Sequence, residues 1–574
     1  MKKTAAVIMA VILALSGAAF VPQSEVGSSV ITAAGAEQSG DFTYEISNGS
    51  ASVLGYSGTD KNVVIPDKLG GYDVTYIEDG AFSHNFTLES VTFPDSLRVI
   101  QDFAFNECRS LETVNIGRDF YAIGTGYFML GFANCKNLMQ INIDSSNSTF
   151  TSVNGMVLSK DKTQLIYCPE GRSGCIVPDS VTEIKDSALT GDSLKTVTLG
   201  SGIKDIDFFD TFHGAAGLTE IDLGSSAGEY ATYDGAVYNK FLTKLVFCPR
   251  GKTSINIPET VNSQFINELK GCYKLEAVDL DGVNRYYRSV DGLVCSIDKT
   301  KLVFCPRGVK SMTIPESVTT IGDDAFYNCE KLEELNLPKG ITEIGSRAFS
   351  GCCELKKAVL PSTLKTMGSS AFSNCTSLES ISIPRSLEEI PELAFSGCYY
   401  LEKVSFSAGL KAIGDAAFEA CRSLTEVRLP ATVEKVGQNA FTDCFSLTAI
   451  TVPKSVKELG YHAIAWAADP EQLYSPGYFL NTVTIYGYEG SEAESYAKTN
   501  SLSFSALKAI KGDINGDGTL DTKDALKSVA FAKKTSDPGT TEEFIAADVN
   551  GDNKLDSKDS MLIINAVKTK TLLQ

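Results

Sequence analysis

Apolar residues return along this chain with a fixed period. From Ala325 the sequence reads AFYNCEKLEELNLPKGITEIG, and AFSGCCELKKAVLPSTLKTMG from Ala348 and AFSNCTSLESISIPRSLEEIP from Ala371 repeat its apolar offsets. Phe326, Phe349, Phe372, Phe395, Phe418 and Phe441 stand 23 residues apart, and Ile464 continues the series in a copy without its cysteine. Phe82, Phe105, Phe132, Leu189, Phe212 and Leu269 mark earlier copies. Such a period predicts a solenoid, because one coil cannot bury its apolar face alone and stacked coils can. Within a coil, Leu332, Leu335 and Leu337 predict a short strand, and Pro338 ends its pairing. A second short strand carries Ile341 and Ile344 inward, and Ala348, Phe349 and Cys352 close the turn.

Three early gaps measure 57 residues, and the additional 34 are themselves repeated. NGMVLSKDKTQLIYCPEG, DGAVYNKFLTKLVFCPRG and DGLVCSIDKTKLVFCPRG begin at Asn154, Asp234 and Asp291. Alternating apolar residues around a polar turn predict an inserted β-hairpin in each.

A chain of 574 residues exceeds one compact core, which suits an elongated array. Residues 1–36 read as a secretory signal: Lys2 and Lys3 lead, Ala5 to Leu15 is almost wholly apolar, and small residues follow. Gly17-Ala18-Ala19 and Ala34-Gly35-Ala36 are both candidate cleavage sites. The apolar run is short for a membrane span, so the mature protein is expected to be soluble outside the cell. A net charge of −20 argues against nucleic acid or anionic membrane as partner.

Fifteen cysteines in a secreted chain would ordinarily suggest disulfides. Cys108, Cys135, Cys272, Cys329, Cys352, Cys375, Cys398, Cys421 and Cys444, however, all follow an anchor residue by three. A small apolar side chain suits that turn, so buried free thiols are expected. No C-x-x-C cluster points to a metal.

The repeat stops after Leu507, and the tail carries chemistry of another kind. In DINGDGTLDTKD, Asp513, Asn515, Asp517, Asp521 and Asp524 occupy positions 1, 3, 5, 9 and 12, with Thr519 offering its carbonyl at 7. That spacing wraps a hard cation in oxygen, and the many protein ligands favour calcium over magnesium. A second loop, DVNGDNKLDSKD, lies 35 residues on and repeats the set as Asp548, Asn550, Asp552, Lys554 (backbone), Asp556 and Asp559. Two ions are therefore expected.

The repeat resembles the BspA-like leucine-rich repeats of bacterial surface proteins, over residues 41–506. The likeness takes in the entry hairpin FTYEISNGSASVLGYSG and the ending TIYGYEGSEAESYAKTNSLSF, which looks like a closing cap. It implies a solenoid of short β-strands and turns with adhesive or binding roles. The tail, residues 511–574, resembles a dockerin: position 12 is Asp rather than Glu, no adequate helix precedes the first loop, and a helix follows each loop. That resemblance implies a small all-α calcium module that docks on a cohesin domain of a scaffoldin. It also implies cohesin-facing positions at Thr522, Lys523, Ser557 and Lys558, and along the helices at Val529, Ala530, Ile564 and Asn565.

Catalytic motifs are scarce. There are three histidines and no H-E-x-x-H, phosphate loop or dinucleotide fingerprint. GSSAG at Gly224–Gly228 fits G-x-S-x-G around Ser226, but a nucleophile elbow needs a helix directly afterwards, and a loop is expected there. The expected protein is a non-catalytic, secreted, cohesin-docking component, surface-associated through a cellulosome-like scaffold, whose repeat arm binds protein or mediates adhesion. Two alternatives remain open. In one the arm binds plant cell-wall glycan, for which Trp466, Tyr399, Tyr400, Tyr474, Tyr478 and Tyr486 are the available aromatics. In the other the protein is a free adhesin whose tail is only a calcium-stabilised cap.

Overall fold

The structure is a computed structural model, and it describes residues 36–124, 126, 128–224, 228–467, 477–507, 511–515, 519–533, 546–547, 549 and 555–570. The signal segment to residue 35 lies outside them, as do Ser226 and Tyr474. The chain forms two compact units, one up to Lys160 and one from Asp161 onward.

In the first unit, Glu37–Ser39, Phe42–Ser47 and Ser50–Tyr56 form an antiparallel entry sheet. A two-residue turn joins the last two strands, with Asn48 and Gly49 at φ 50° and 79°. Ser50–Tyr56 then pairs in parallel with Tyr72–Ile77, which continues to Val99–Ile100 and Ala122–Ile123. The other face carries Asn62–Val64, Ser90–Thr92, Thr113–Ile116 and Gln140–Ile143, all parallel.

The second unit repeats that plan. Glu334–Asn336, Lys357–Val359, Ser380–Ile383 and Lys403–Phe406 make one parallel ladder, and Thr320–Ile321, Glu343–Ile344 and Thr366–Met367 belong to another. Partners such as Glu343 and Thr366 are 23 residues apart, so each coil lies in register on the last. One apolar core runs from Leu293 to Leu502. All thirteen anchor residues named above, from Phe82 to Ile464, are buried. Thr484–Gly487, the helix Glu492–Thr499 and Ser503–Ala506 close the array. The Tyr496 hydroxyl accepts from the Ile464 amide and donates to its carbonyl, at 3.1 and 3.2 Å, fastening the degenerate last coil.

The turn around each anchor is stitched in three ways. Rings stack down the column from Phe326 to Phe441, with centres from 4.8 Å apart for Phe326 and Phe349 to 5.5 Å for Phe372 and Phe395. Alternate amides donate to the next coil: Asp324 to Ser346, Phe326 to Ala348 and Asn328 to Ser350, at 2.7–3.0 Å. For these amides to face one way, the residues two before and two after the anchor turn left-handed. Asp324, Arg347, Ser370, Leu393, Ala416, Asn439 and His462 all have φ between 51° and 58°. Finally, seven of the column thiols donate back to the carbonyl of the preceding anchor, as Cys375 does to Phe349 and Cys398 to Phe372 at 3.2 Å, while Cys272 and Cys329 donate to the carbonyls of Cys248 and Cys305. Burial pushes Cys398 and Cys444 up to about 12, so both stay protonated donors. All fifteen cysteines are free thiols here, and all but the half-buried Cys353 are buried.

The insertions contain more than the expected hairpin. In the second unit, Ala236–Asn239 with Leu245–Phe247, and Leu293–Ser296 with Lys301–Phe304, form the antiparallel pairs. A further strand precedes each, Tyr230–Tyr233 and Tyr287–Val290, joined through Asp234-Gly235 and Asp291-Gly292 at positive φ. A buried asparagine sets the start of the third insertion. Asn284 donates to the Glu259 and Val261 carbonyls and accepts from the Tyr286 and Tyr287 amides, filling its hydrogen-bonding capacity. In the first unit Asn147 does the same between Gly117, Phe120, Thr149 and Phe150.

Candidate metal centre and docking surface

Two helices carry the tail, Thr522–Ala532 and Ser557–Thr569. They begin alike. Asp521 (φ −132°, ψ −170°) and Asp556 (φ −134°, ψ −171°) are the N-caps, and each accepts from the amide two residues on at 2.7 Å. Asp524 and Asp559, three residues into the helix, reach back to accept from the cap amides at 2.9 and 3.1 Å. Each helix thus starts with a reciprocal capping box whose acid sits at loop position 12.

Asp524 does more than cap. Its other oxygen accepts from the Ile514 and Asn515 amides at 2.9 and 3.1 Å, tying the start of the loop to the helix that follows it. The side chain is fully buried, and Asp513 and Asp559 are 6 % and 2 % exposed. Apolar residues hold the loops from behind: Ile514 and Val549, at position 2 of each loop, are buried with Phe531, Ala547 and Ile563, while Leu520 and Leu555, at position 8, pack against them.

The first loop's described oxygen donors suit a hard cation. They are carboxylates and an amide with no nitrogen or sulfur ligand among them, and two are buried acids, whose desolvation a divalent ion would offset. Asp513, Asn515, Thr519, Asp521, Asp524, Asp556 and Asp559 are described; Asp517, Asp548, Asn550, Asp552 and Lys554 lie outside the described residues. Among the described residues alone no three acidic, histidine or cysteine side chains gather as a metal-holding group.

The positions expected to face a cohesin fall on the same two helices. Thr522, Lys523, Ser557 and Lys558 are exposed on the first turns, Asn565 is exposed, and Val529, Ala530 and Ile564 are half-buried. The structure adds three apolar residues that the sequence reading passed over: Leu526, Met561 and Leu562, which are 71 %, 61 % and 41 % exposed. Leu526 and Met561 stand 35 residues apart, at the same place in each copy. That coincidence was the available signal.

On the repeat, Asn336, Ser382, Ser405 and Arg428 are exposed along the strand face and Thr451 is half-buried. Tyr399, Tyr400 and Phe445 are exposed, and the Arg422 guanidinium lies 4.5 Å from the Tyr399 ring centre and 6.0 Å from that of Phe445. Tyr478 is exposed, and Trp466 and Tyr486 are half-buried, Trp466 stacked on His462. The serine motif has the wrong surroundings for a nucleophile: Glu220–Asp222 precedes it and another strand, Tyr230–Tyr233, follows where an elbow needs a helix. No helix among the described residues is long and apolar enough to cross a membrane.

Comparison with known proteins agrees with this geometry. The model of the BspA type leucine rich repeat region matches residues 60–172, 172–289, 300–425 and 388–472, and that of the dockerin type I domain matches residues 511–568. No curated protein matches the chain. Similar solved structures include a leucine rich cell surface protein from Faecalibacterium prausnitzii, 22 % identical, covering 72 % of this chain and 94 % of that one, with a TM-score of 0.27. Another is a leucine-rich repeat protein from Bacteroides ovatus, 22 % identical, covering 82 % and 98 %, with a TM-score of 0.30. The pneumococcal vaccine antigen PcpA is 17 % identical over 82 % and 98 %, with a TM-score of 0.24. These likenesses carry no argument about what this chain binds. The chain belongs to the BspA type leucine-rich repeat proteins, and behind its repeats it carries a dockerin type I domain.

Proposed function

We propose that the protein is a non-catalytic, secreted component that docks through its calcium-loaded tail on a cohesin domain of a scaffoldin and presents its repeats as a protein-binding or adhesive arm. The observation that carries this reading is the duplicated helix start, with the same caps, the same reaching acid and the same exposed pair in both copies. Asp513, Asn515, Asp517, Thr519, Asp521 and Asp524 would hold one ion, and Asp548, Asn550, Asp552, Lys554, Asp556 and Asp559 a second. Calcium neutralises the clustered acids and orders the loops, and the ordered loops orient the helices. Thr522, Lys523, Val529 and Ala530, with Ser557, Lys558, Ile564 and Asn565, would form the cohesin-facing surface.

The test is calorimetric titration of the full chain with cohesins, in calcium and then with a chelator. Binding that disappears on chelation supports docking. Absence of binding to every cohesin leaves the protein a free adhesin whose tail is a calcium-stabilised cap.

For the arm, the polar strand face favours a protein ligand. The exposed Tyr399, Tyr400 and Phe445 favour a second reading, a glycan ligand stacked on aromatic rings. Retention on insoluble polysaccharide that Tyr400→Ala abolishes would decide for glycan.

A further inference from the structure

On the second-strand face of the repeats, the parallel ladder runs from Lys301–Phe304 through Thr320–Ile321 and Glu343–Ile344 to Thr366–Met367. It resumes at Glu389–Ile390 and continues through Ala412–Ile413 and Lys435–Val436 to Glu458–Leu459. Thr366–Met367 and Glu389–Ile390 belong to successive coils, yet they do not pair. Neither the Glu388 nor the Glu389 amide bonds to the Lys365 carbonyl, whereas one coil on Lys411 and Ala412 both donate to the Glu388 carbonyl, at 2.7 and 3.3 Å. A cleft of about 620 Å³ opens at the interruption, with Thr366, Met367, Glu388, Glu389 and Pro391 in its walls.

The cause stands one residue past the strand. Gly322, Gly345, Gly368, Gly414, Gly437 and Gly460 each donate their amide to the preceding coil, at 2.7–2.8 Å. Pro391 holds that position in the loosened coil and has no N–H to offer the Met367 carbonyl. Its ring is a second obstacle, because the position lies against the backbone of the coil before. A Cβ at Gly368 would stand 2.3 Å from the Ser346 amide nitrogen, and one at Gly414 2.6 Å from that of Glu392. A side chain fits there only if the two coils part. The ion pairs of this face divide at the same place. Glu388 pairs with Lys411 at 2.7 Å and Glu434 with Lys457 at 2.8 Å, both beyond the interruption. Among the described residues Lys365, which precedes Glu388 by 23, makes no ion pair.

What still joins these two coils lies mostly on the other side. The first-strand ladder keeps one register pair, Lys357 with Ser380, against three for the coil before and four for the coil after. The Ser386 hydroxyl donates to the Leu364 carbonyl at 2.5 Å. The anchor turn alone is complete: Ser370, Phe372 and Asn374 donate to Glu392, Ala394 and Ser396 at 2.9, 2.8 and 2.7 Å. Even there the rings of Phe372 and Phe395 stand 5.5 Å apart, the widest spacing between Phe326 and Phe441.

We propose that Pro391 makes this boundary a hinge: the second-strand face opens here, and the coils on either side move as two blocks about the anchor turn. Stability in a stacked array is close to a sum of neighbour-to-neighbour terms, so the boundary with the fewest bonds is where local opening costs least. The hinge is independent of what the repeats bind and of how the tail docks. It belongs to the second-strand face and leaves the apolar core continuous, since Met367 and Ile390 remain buried on its two sides.

Three amides are matched probes of this motion. Phe349, Phe372 and Phe395 each follow an alanine, are fully buried, and donate across their own coil boundary at 2.8 Å. A rigid stack would protect them equally. The experiment is hydrogen–deuterium exchange of the full mature chain in calcium, resolved to single residues by fragmentation in the mass spectrometer. The Phe372 amide is expected to exchange at least about tenfold faster than the other two, as the loss of strand-face hydrogen bonds at its boundary implies. Pro391→Gly, which installs the residue of six other coils, should slow Phe372 to the rate of its neighbours. Gly414→Pro should carry the fast exchange to Phe395. Equal rates at the three amides in the native chain overturn the proposal. So does a fast Phe372 that Pro391→Gly leaves unchanged.

Discussion

Ala416 sits at φ 51°, a conformation that its Cβ resists and that the column of forward-facing amides imposes. Replacing it with glycine should therefore stabilise the repeat by about 1 kcal/mol, read as a higher denaturant midpoint at unchanged slope. The reverse holds in the ring column. Phe372 is fully buried between Phe349 and Phe395, with ring centres 4.9 and 5.5 Å away, so Phe372→Ala should cost about 3–5 kcal/mol and Phe372→Leu much less in the same assay. Asp324 supplies a pH signature. Burial pushes its carboxyl up, but hydrogen bonds from Arg347 and Lys270, at 2.8 and 3.1 Å, and their charges outweigh that and hold it below the usual range. A depressed folded value means stability that is present above the unfolded value near ~3.9 and is lost as pH falls through the folded one. Arg347 and Lys270 are 59 % and 37 % exposed, so solvent screening limits the sum to about 1 kcal/mol. The advantage of the native chain over Asp324→Asn, measured by urea unfolding, should accordingly shrink as pH drops below about 4.

In the tail, Asp524 is the residue on which loop and helix both depend. Asp524→Ala leaves the amides of Ile514, Asn515 and Asp521 without their acceptor and should cost the tail about 2–4 kcal/mol. Loss of calcium-induced helicity in the circular dichroism of the full chain, with the repeat signal unchanged, checks it. The role of such elements was unevenly legible in the sequence. The inward strand positions and the anchors could be read directly, because burial admits few residue types and each position recurs many times. The left-handed column could not be read two residues before the anchor, where Asp, Arg, Ser, Leu, Ala, Asn and His all occur: the neighbouring coils set that backbone, and none of these side chains is buried in the core, so no one residue type is imposed. The extra strand before each hairpin was missed for a related reason. YATY and YRSV alternate too weakly to announce a strand, and pairing through the Asp-Gly turns makes them one. The capping duty of Asp521 and Asp556 was also hidden, since the same residues satisfy a metal-loop pattern.

Across the whole chain, contacts between coils are local, so the repeats should respond to editing by length more than by composition. Excising Ala371–Leu393, which is 23 residues, rejoins Ser370 to Ala394 and leaves the ring, amide and thiol columns continuous. That variant should fold, with a calorimetric unfolding enthalpy lower by roughly 16 kcal/mol at about 0.7 kcal/mol per residue. Removing Ala371–Ile390, three residues fewer, brings the wrong side chains to the core and should abolish cooperative melting. The register that holds one coil to the next thus also acts as a unit of inheritance. Unequal crossing-over between copies would yield a working protein whenever the exchange is a whole coil, so relatives should differ in steps of a coil and seldom by fractions of one.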